Sequence, residues 1–182
     1  MTGWVMRIEL DKLEGKSSAL AHSYEAGELV LDEENARLIE PPQINGRITR
    51  SGQEVRLQGT ITARAEVDCD RCLKSVSMPI ETEFDVNYVP ATTYYGDERA
   101  ELKEDDLSLS VFDGEVIDLD ELVREQVLLA MPPRILCGEE CKGLCPVCGA
   151  DRNREECACE AKVIDPRWAA LSSLKREGKD GK

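Results

Sequence analysis

Eight cysteines arranged as four short pairs constrain this chain more than any other feature. They are Cys69 and Cys72, Cys137 and Cys141, Cys145 and Cys148, and Cys157 and Cys159; five of them fall within the nineteen residues from Cys141 to Cys159. Such a set serves disulfides, a redox site or metal ions. The N-terminal stretch MTGWVMRIELDKLEG has no basic region followed by an apolar one, so no secretory signal is expected. No apolar run approaches the length that crosses a bilayer. The expected compartment is therefore the cytoplasm, where thiols stay reduced and paired spacings point to metal rather than structural bridges.

The donor set narrows the metal. His22 is the only histidine and lies far from every pair in sequence. With four sulfurs available per ion, a closed, structural zinc site is expected rather than one with an open catalytic position. Proline inside Cys145-Pro146-Val147-Cys148 and Gly149 after it suit a turn whose backbone amides point at thiolates. The favoured partition is two sites. Cys145, Cys148, Cys157 and Cys159 form a local one, while Cys69 and Cys72 join Cys137 and Cys141 to fix the tail loop to an earlier segment. The alternative is one site, in which Cys69 and Cys72 meet Cys145 and Cys148. A redox role for Cys69-Asp70-Arg71-Cys72 would want the first thiol at a helix N-terminus, and here it ends a strand.

That strand is plain in the sequence. In EVRLQGTITARAEVDC, residues 54–69, the odd positions Val55, Leu57, Ile61, Ala63, Ala65 and Val67 are apolar, and the even ones are polar. In SVSMPIETEFDVNYV the parity reverses: Val76, Met78, Ile80, Phe84, Val86 and Tyr88 share a face. Period-two patterns of opposite parity make a half-buried hairpin with coincident inner faces. A two-residue loop at Asp70–Arg71 would set Ile61 opposite Ile80, Leu57 opposite Phe84 and Val55 opposite Val86; a shift of two residues keeps the faces matched as well.

Elsewhere the reading is coarser. Residues 5–10 and 44–49 read as strands, and EENARLIEPP as a helical turn stopped by Pro41–Pro42. Residues 92–113 read as an acidic mobile loop, and 115–118 as a short strand. Asp118, with Glu121 three residues on, caps a helix over 119–131 whose Leu119, Leu122, Val123, Val127 and Ala130 form one stripe. Asp165–Pro166 opens a short helix over 166–176. The expected fold class is α+β: a twisted antiparallel β-sheet with a long hairpin, one or two packed helices and a cysteine-rich zinc-binding C-terminal segment. The expected division is a β-rich core, residues 1–134, and a zinc-stapled tail, 135–182.

Charge bears on partners. The net charge is −14, and the stretch from Asp97 to Glu125 carries twelve acids and three bases. Such a segment repels phosphate and draws basic proteins. Direct RNA binding would need Arg47, Arg50, Arg56, Arg64, Arg71 and Lys74 to gather on one surface, yet Glu54, Glu66 and Asp68 stand beside Arg56 and Arg64. The sequence holds no G-x-S-x-G, no P-loop and no G-x-G-x-x-G, so function is expected from binding, with no small-molecule substrate.

The order of these motifs carries a resemblance. A helix ending LLAMPP is followed by CGEECKGLCPVCGADRN, then CAC and IDPRWAALSSL, with CDRC about seventy residues upstream. Together they resemble the YceD-like family, the large ribosomal RNA subunit accumulation proteins of bacteria and plastids. The resemblance implies a non-enzymatic role in making, processing or stabilising 23S ribosomal RNA and in assembling the large subunit. Its partner would be that RNA, a basic ribosomal protein or a processing factor. Carried onto this chain, the family's motif positions include Arg71, Gly143, Gly149 and Arg167 beside the cysteines. Arg167 is a candidate contact or an ion-pair partner of nearby acid. The competing readings are a thiol redox or metal-dependent enzyme using Cys69 and Cys72, and a zinc-ribbon adaptor of another complex.

Overall fold

A computed structural model of the chain describes residues 6–13, 16–94, 109–113, 115–159 and 167–168. The fold is α+β. A five-stranded sheet runs in the order β2-β3-β4-β5-β6, built from Ser17–Ser23 (β2), Ala36–Ser51 (β3), Glu54–Asp68 (β4), Ser75–Pro90 (β5) and Leu109–Phe112 (β6). Its first four strands are antiparallel, and β6 joins β5 in parallel. A separate pair of short strands, Arg7–Glu9 (β1) and Val116–Asp118 (β7), feeds the helix Leu119–Leu129 (α2). A four-residue helix, Ala91–Tyr94 (α1), follows β5.

The alternating residues do what their period demands. Val55, Leu57, Ile61, Ala65 and Val67 of β4, with Ile80, Phe84 and Tyr88 of β5, are buried on one face of the sheet. Leu119, Leu122, Val123 and Val127 of α2 close over it, together with Ile8, Leu10, Leu29, Leu31 and Ile117. Asp118 caps α2 by accepting from the Glu121 amide at 3.0 Å. Two residues beyond the cap, Asp120 is a buried carboxylate. It accepts from the Tyr24 hydroxyl at 2.9 Å and the Met6 amide at 3.1 Å, tying three separate segments together at the helix N-terminus.

Four expectations are corrected. The hairpin register is two residues from the one drawn with a two-residue loop: Val55 faces Tyr88, Leu57 faces Val86, and Ala63 faces Ile80. The tip is longer, because Cys69 still donates to the Lys74 carbonyl and the turn is completed by Leu73 at φ 58°. EENARLIEPP is not a helical turn, since β3 begins at Ala36 and runs through both prolines. The β3–β4 register shifts between Leu38 and Gln43, and β2 ends its pairing at Ser23 with Gln43. The prolines thus occupy irregular, partly unpaired strand, where a missing N–H costs least. Lastly, the segment taken as loop to Asp113 contains β6. The rest of the acidic loop, residues 95–108, and the helix expected over 166–176 (apart from Arg167 and Trp168) lie outside the described residues. No helix among the described residues is long and apolar enough to cross a membrane.

Candidate metal centres

Both cysteine groups are assembled by turns. At the hairpin tip, Cys69 directly follows β4 and Cys72 sits in the turn; both are buried. The segment after α2 returns to this tip and is tied to it by a reciprocal pair of bonds: Asp70 donates its amide to the Ile135 carbonyl at 2.9 Å, and its carboxylate accepts from the Ile135 amide at 2.6 Å. Cys137 and Cys141 thereby meet the hairpin cysteines. Leu144 then donates to the Arg71 carbonyl at 2.9 Å. Gly143 reaches that contact at φ +72°, and a Cβ there would lie 2.9 Å from the Arg71 oxygen.

The first centre comprises Cys69, Cys72, Cys137 and Cys141; the second comprises Cys145, Cys148, Cys157 and Cys159. Within each, the four sulfurs lie within 4.8 Å of one another. All eight are free thiols. In the first centre Cys69 Sγ is 3.8 Å from Cys141 Sγ, and Cys72 Sγ is 3.5 Å from Cys137 Sγ. These separations are far longer than a disulfide bond. Four sulfurs at about 2.3 Å from one tetrahedral ion would stand about 3.8 Å apart, so the donor set fits a thiolate-bound metal. The two groups are distinct; Cys69 and Cys72 are not clustered with Cys145 and Cys148.

The surroundings favour thiolates unevenly. Burial alone would raise the Cys69 thiol, but the backbone N–H groups of Arg71, Cys137 and Cys72 outweigh it and bring it down to about 6. Cys145 is likewise brought down to about 6, chiefly by the Cys148 and Val147 amides. Their companions pay the electrostatic consequence: Cys137 is pushed up to about 12 by the neighbouring Cys72 and Cys141, and Cys159 to about 12 by Cys148. A cluster in which one thiolate blocks ionisation of the next needs a cation to deprotonate all four.

Supporting groups surround the first centre. Arg71 donates to the Cys141 carbonyl at 2.6 Å, and Asn153 Nδ2 reaches Cys141 Sγ at 3.5 Å. Asn153 also accepts from the Lys142 amide, while its own amide is held by Asp151. The second centre rests on a tight hairpin in which Cys145 donates to Ala150, Gly149 to Cys145, and Arg152 to Gly143. Sequence reasoning missed Asp70 and Asn153. Both are Asx residues inside cysteine turns, the type that caps backbone locally.

The candidate RNA contacts are dispersed and largely compensated. Arg56 forms a bidentate pair with Asp85 at 2.7 and 2.5 Å, and its guanidinium holds that carboxyl below the usual range. Arg64 pairs with Glu40 at 3.0 Å, and Arg50 donates to the Gly52 and Leu10 carbonyls. Arg71 and Lys74 belong to the hairpin tip, where Arg71 holds the Cys141 loop through the Cys141 carbonyl. Arg47 is exposed on β3, and Arg167 is exposed. His22 stands half-buried, edge-to-face with Tyr24, its Nε2 enclosed without a hydrogen-bond partner, and it belongs to neither cysteine group.

An α+β fold with two tetra-cysteine clusters, one shared between the β4–β5 hairpin tip and the segment after α2 and one local to residues 145–159, defines the structural class. The family described as large ribosomal RNA subunit accumulation protein YceD matches residues 57–175, which include all eight cysteines. This chain belongs to the YceD family. It is 26% identical to the uncharacterised Bacillus subtilis protein YlbN over 170 residues, 93% of this chain and 94% of that protein. It is 31% identical to a Mycobacterium tuberculosis protein over 128 residues, 70% of this chain but 59% of the relative. The Arabidopsis thaliana chloroplast protein named large ribosomal RNA subunit accumulation protein YCED homolog 1 is 24% identical over 161 residues, 75% of this chain and 49% of its own length. No solved structure matches the chain.

Proposed function

We propose that this chain is a non-enzymatic cytoplasmic factor that promotes synthesis, processing or stability of 23S ribosomal RNA and assembly of the large ribosomal subunit. The observation that carries the reading is family membership across residues 57–175, together with the plant relatives named for large ribosomal RNA accumulation. In this reading two zinc ions, one per tetra-cysteine cluster, hold the tail of residues 135–182 against the core of residues 1–134. The fit of four cysteine sulfurs, with no histidine among them, to a closed tetrahedral site supports a structural ion. Metal-protected thiols of this kind are poor redox catalysts, which weighs against the Cys69–Cys72 enzyme reading.

Between an RNA and a protein partner, charge favours protein. Arg56 and Arg64 are matched to carboxylates, and the segment from Asp97 to Glu125 is strongly acidic. A basic ribosomal or processing protein is the partner this distribution suits.

Sedimentation of the tagged protein in lysate gradients tests the reading. Comigration with large-subunit precursors at low salt, and release as salt rises, is expected. Protein that stays at the top of the gradient at both salts rejects stable association with assembling particles. Tight, steeply salt-dependent binding of pure protein to large-subunit RNA would move the contact from protein to RNA.

A further inference from the structure

The two centres differ in how far solvent reaches their sulfurs. In the first, Cys69, Cys72 and Cys141 are buried and Cys137 alone is exposed. In the second, Cys145 alone is buried, Cys157 is half-buried, and Cys148 and Cys159 are both exposed. A thiolate reacts with a dissolved oxidant only where that oxidant can reach it, so access decides which of two like clusters is oxidised.

Two further features point the same way. The first concerns pairing. Within the second centre Cys148 bears most strongly on Cys159, and Cys145 on Cys157, so the two exposed thiols are neighbours. In the first centre the exposed Cys137 has the buried Cys72 as its neighbour, 3.5 Å away. The second concerns restraint. The loops of the first centre are held by bonds of their own: the reciprocal pair between Asp70 and Ile135, Arg71 on the Cys141 carbonyl, and Asn153 on Cys141 Sγ. Among the described residues, the main-chain bonds of the second turn end with the Glu155 amide donating to Asp151. Cys157 and Cys159 lie beyond the last of them, on a segment that can follow its sulfurs into a new bond.

We propose that Cys148 and Cys159 are an oxidant-sensitive pair, joined in a reversible disulfide when a peroxide reaches them, so that the second centre gives up its zinc while the first keeps its own. Cys159 Sγ attacks one oxygen of hydrogen peroxide, breaking the O–O bond and leaving a sulfenic acid and hydroxide. Cys148 Sγ then displaces the second hydroxide and forms the S–S bond. Two electrons pass from the sulfurs to the peroxide, and the hydroxides take up two protons to give water. Cys145 and Cys157 remain, two donors where a closed site takes four. The outer turn of the tail thus becomes separable from an inner centre that stays in place. The inference rests on the proposed pair of zinc ions.

The test uses the full zinc-loaded chain at neutral pH, treated with excess hydrogen peroxide. Released zinc is read with a chromogenic chelator, and disulfides are located by mass mapping of unreduced peptides. One of the two zinc ions is expected to leave, with Cys148–Cys159 as the first disulfide. A thiol reductant with added zinc should restore the starting state. Cys159→His keeps four donors and removes the bridge, and release from it is expected to slow about fivefold or more. Both ions leaving together, no release, a first disulfide among Cys69, Cys72, Cys137 and Cys141, or release from Cys159→His as fast as from the wild type overturns the proposal. The wild-type peptide map decides even where that variant binds zinc poorly. Zinc counted before oxidation separates the two readings. Fewer than two ions per chain rejects the metal reading beneath the proposal. Two ions followed by any of the contrary outcomes rejects the proposal alone.

Discussion

Tyr24 and Asp120 show how one buried pair joins distant parts of the chain. The phenol donates to the carboxylate at 2.9 Å, and burial followed by that bond raises the Tyr24 pKa. The raised value means that the folded state holds its proton more tightly than the unfolded one. The resulting stability is present in full below the ordinary tyrosine pKa of about 10 and is lost as pH rises above it. Tyr24→Phe is expected to cost about 1–3 kcal/mol at neutral pH, because a buried carboxylate loses a donor. It should also flatten the alkaline loss of stability, measured by urea denaturation from pH 8 to 11. At Gly143 the expectation is steric. A side chain there meets the Arg71 carbonyl at a φ that only glycine adopts freely. Gly143→Ala should destabilise the tail by about 1–3 kcal/mol, measured by hydrogen exchange at Leu144. Gly143 was legible from its family motif. The Tyr24–Asp120 pair was not, because nothing local in sequence links residues 96 positions apart.

The two centres are unequal as elements, and their loss should read differently. Cys69 and Cys72 belong to the β4–β5 tip, whereas Cys137 and Cys141 lie beyond α2, so the first centre closes a long loop. The second spans only Cys145 to Cys159. Cys141→Ser should free the chain from about residue 132 onward, giving proteolytic cleavage after α2 while the sheet stays intact. Cys148→Ser should expose only the 145–159 turn and leave the Asp70–Ile135 bonds in place. Limited proteolysis with mass mapping distinguishes the two patterns. At this scale the sequence was readable where period or chemistry was local. Opposite parity in β4 and β5 gave both faces, and Asp118 gave the helix start. The register needed the tip length, which four residues of C-x-x-C cannot specify once Lys74 and Leu73 extend the turn. β6 has four residues, too few for a period, and pairs in parallel with a partner chosen by tertiary packing. Pro41–Pro42 signalled a stop, and the actual outcome was an irregular strand where β2 ends.

Taken whole, the molecule is a one-faced sheet whose apolar side is closed by α2 and whose hairpin tip is met by the cysteine-bearing segment that follows α2. Among the described residues, Asp113, Asp118, Glu121 and Glu125 line a groove between β6, β7 and α2, while Arg37, Arg56 and Arg64 are matched to carboxylates on β3, β4 and β5. Structural zinc contributes roughly 10 kcal/mol or more per site to small domains, and among the described residues the cluster at the hairpin tip buries only Cys69, Cys72 and Cys141, with Val76, Leu136 and Leu144 packed against it. Chelation at neutral pH is therefore expected to unfold the tail and leave the sheet, seen as loss of hydrogen-exchange protection confined to residues beyond α2. The central claim is that two closed metal centres build this tail. Native mass spectrometry of the full chain tests it most directly, alongside Cys69→Ser. Two zinc ions per chain in the wild type and one in the variant are predicted. A single zinc, or eight thiols that react freely with a thiol reagent in the folded protein, would contradict it.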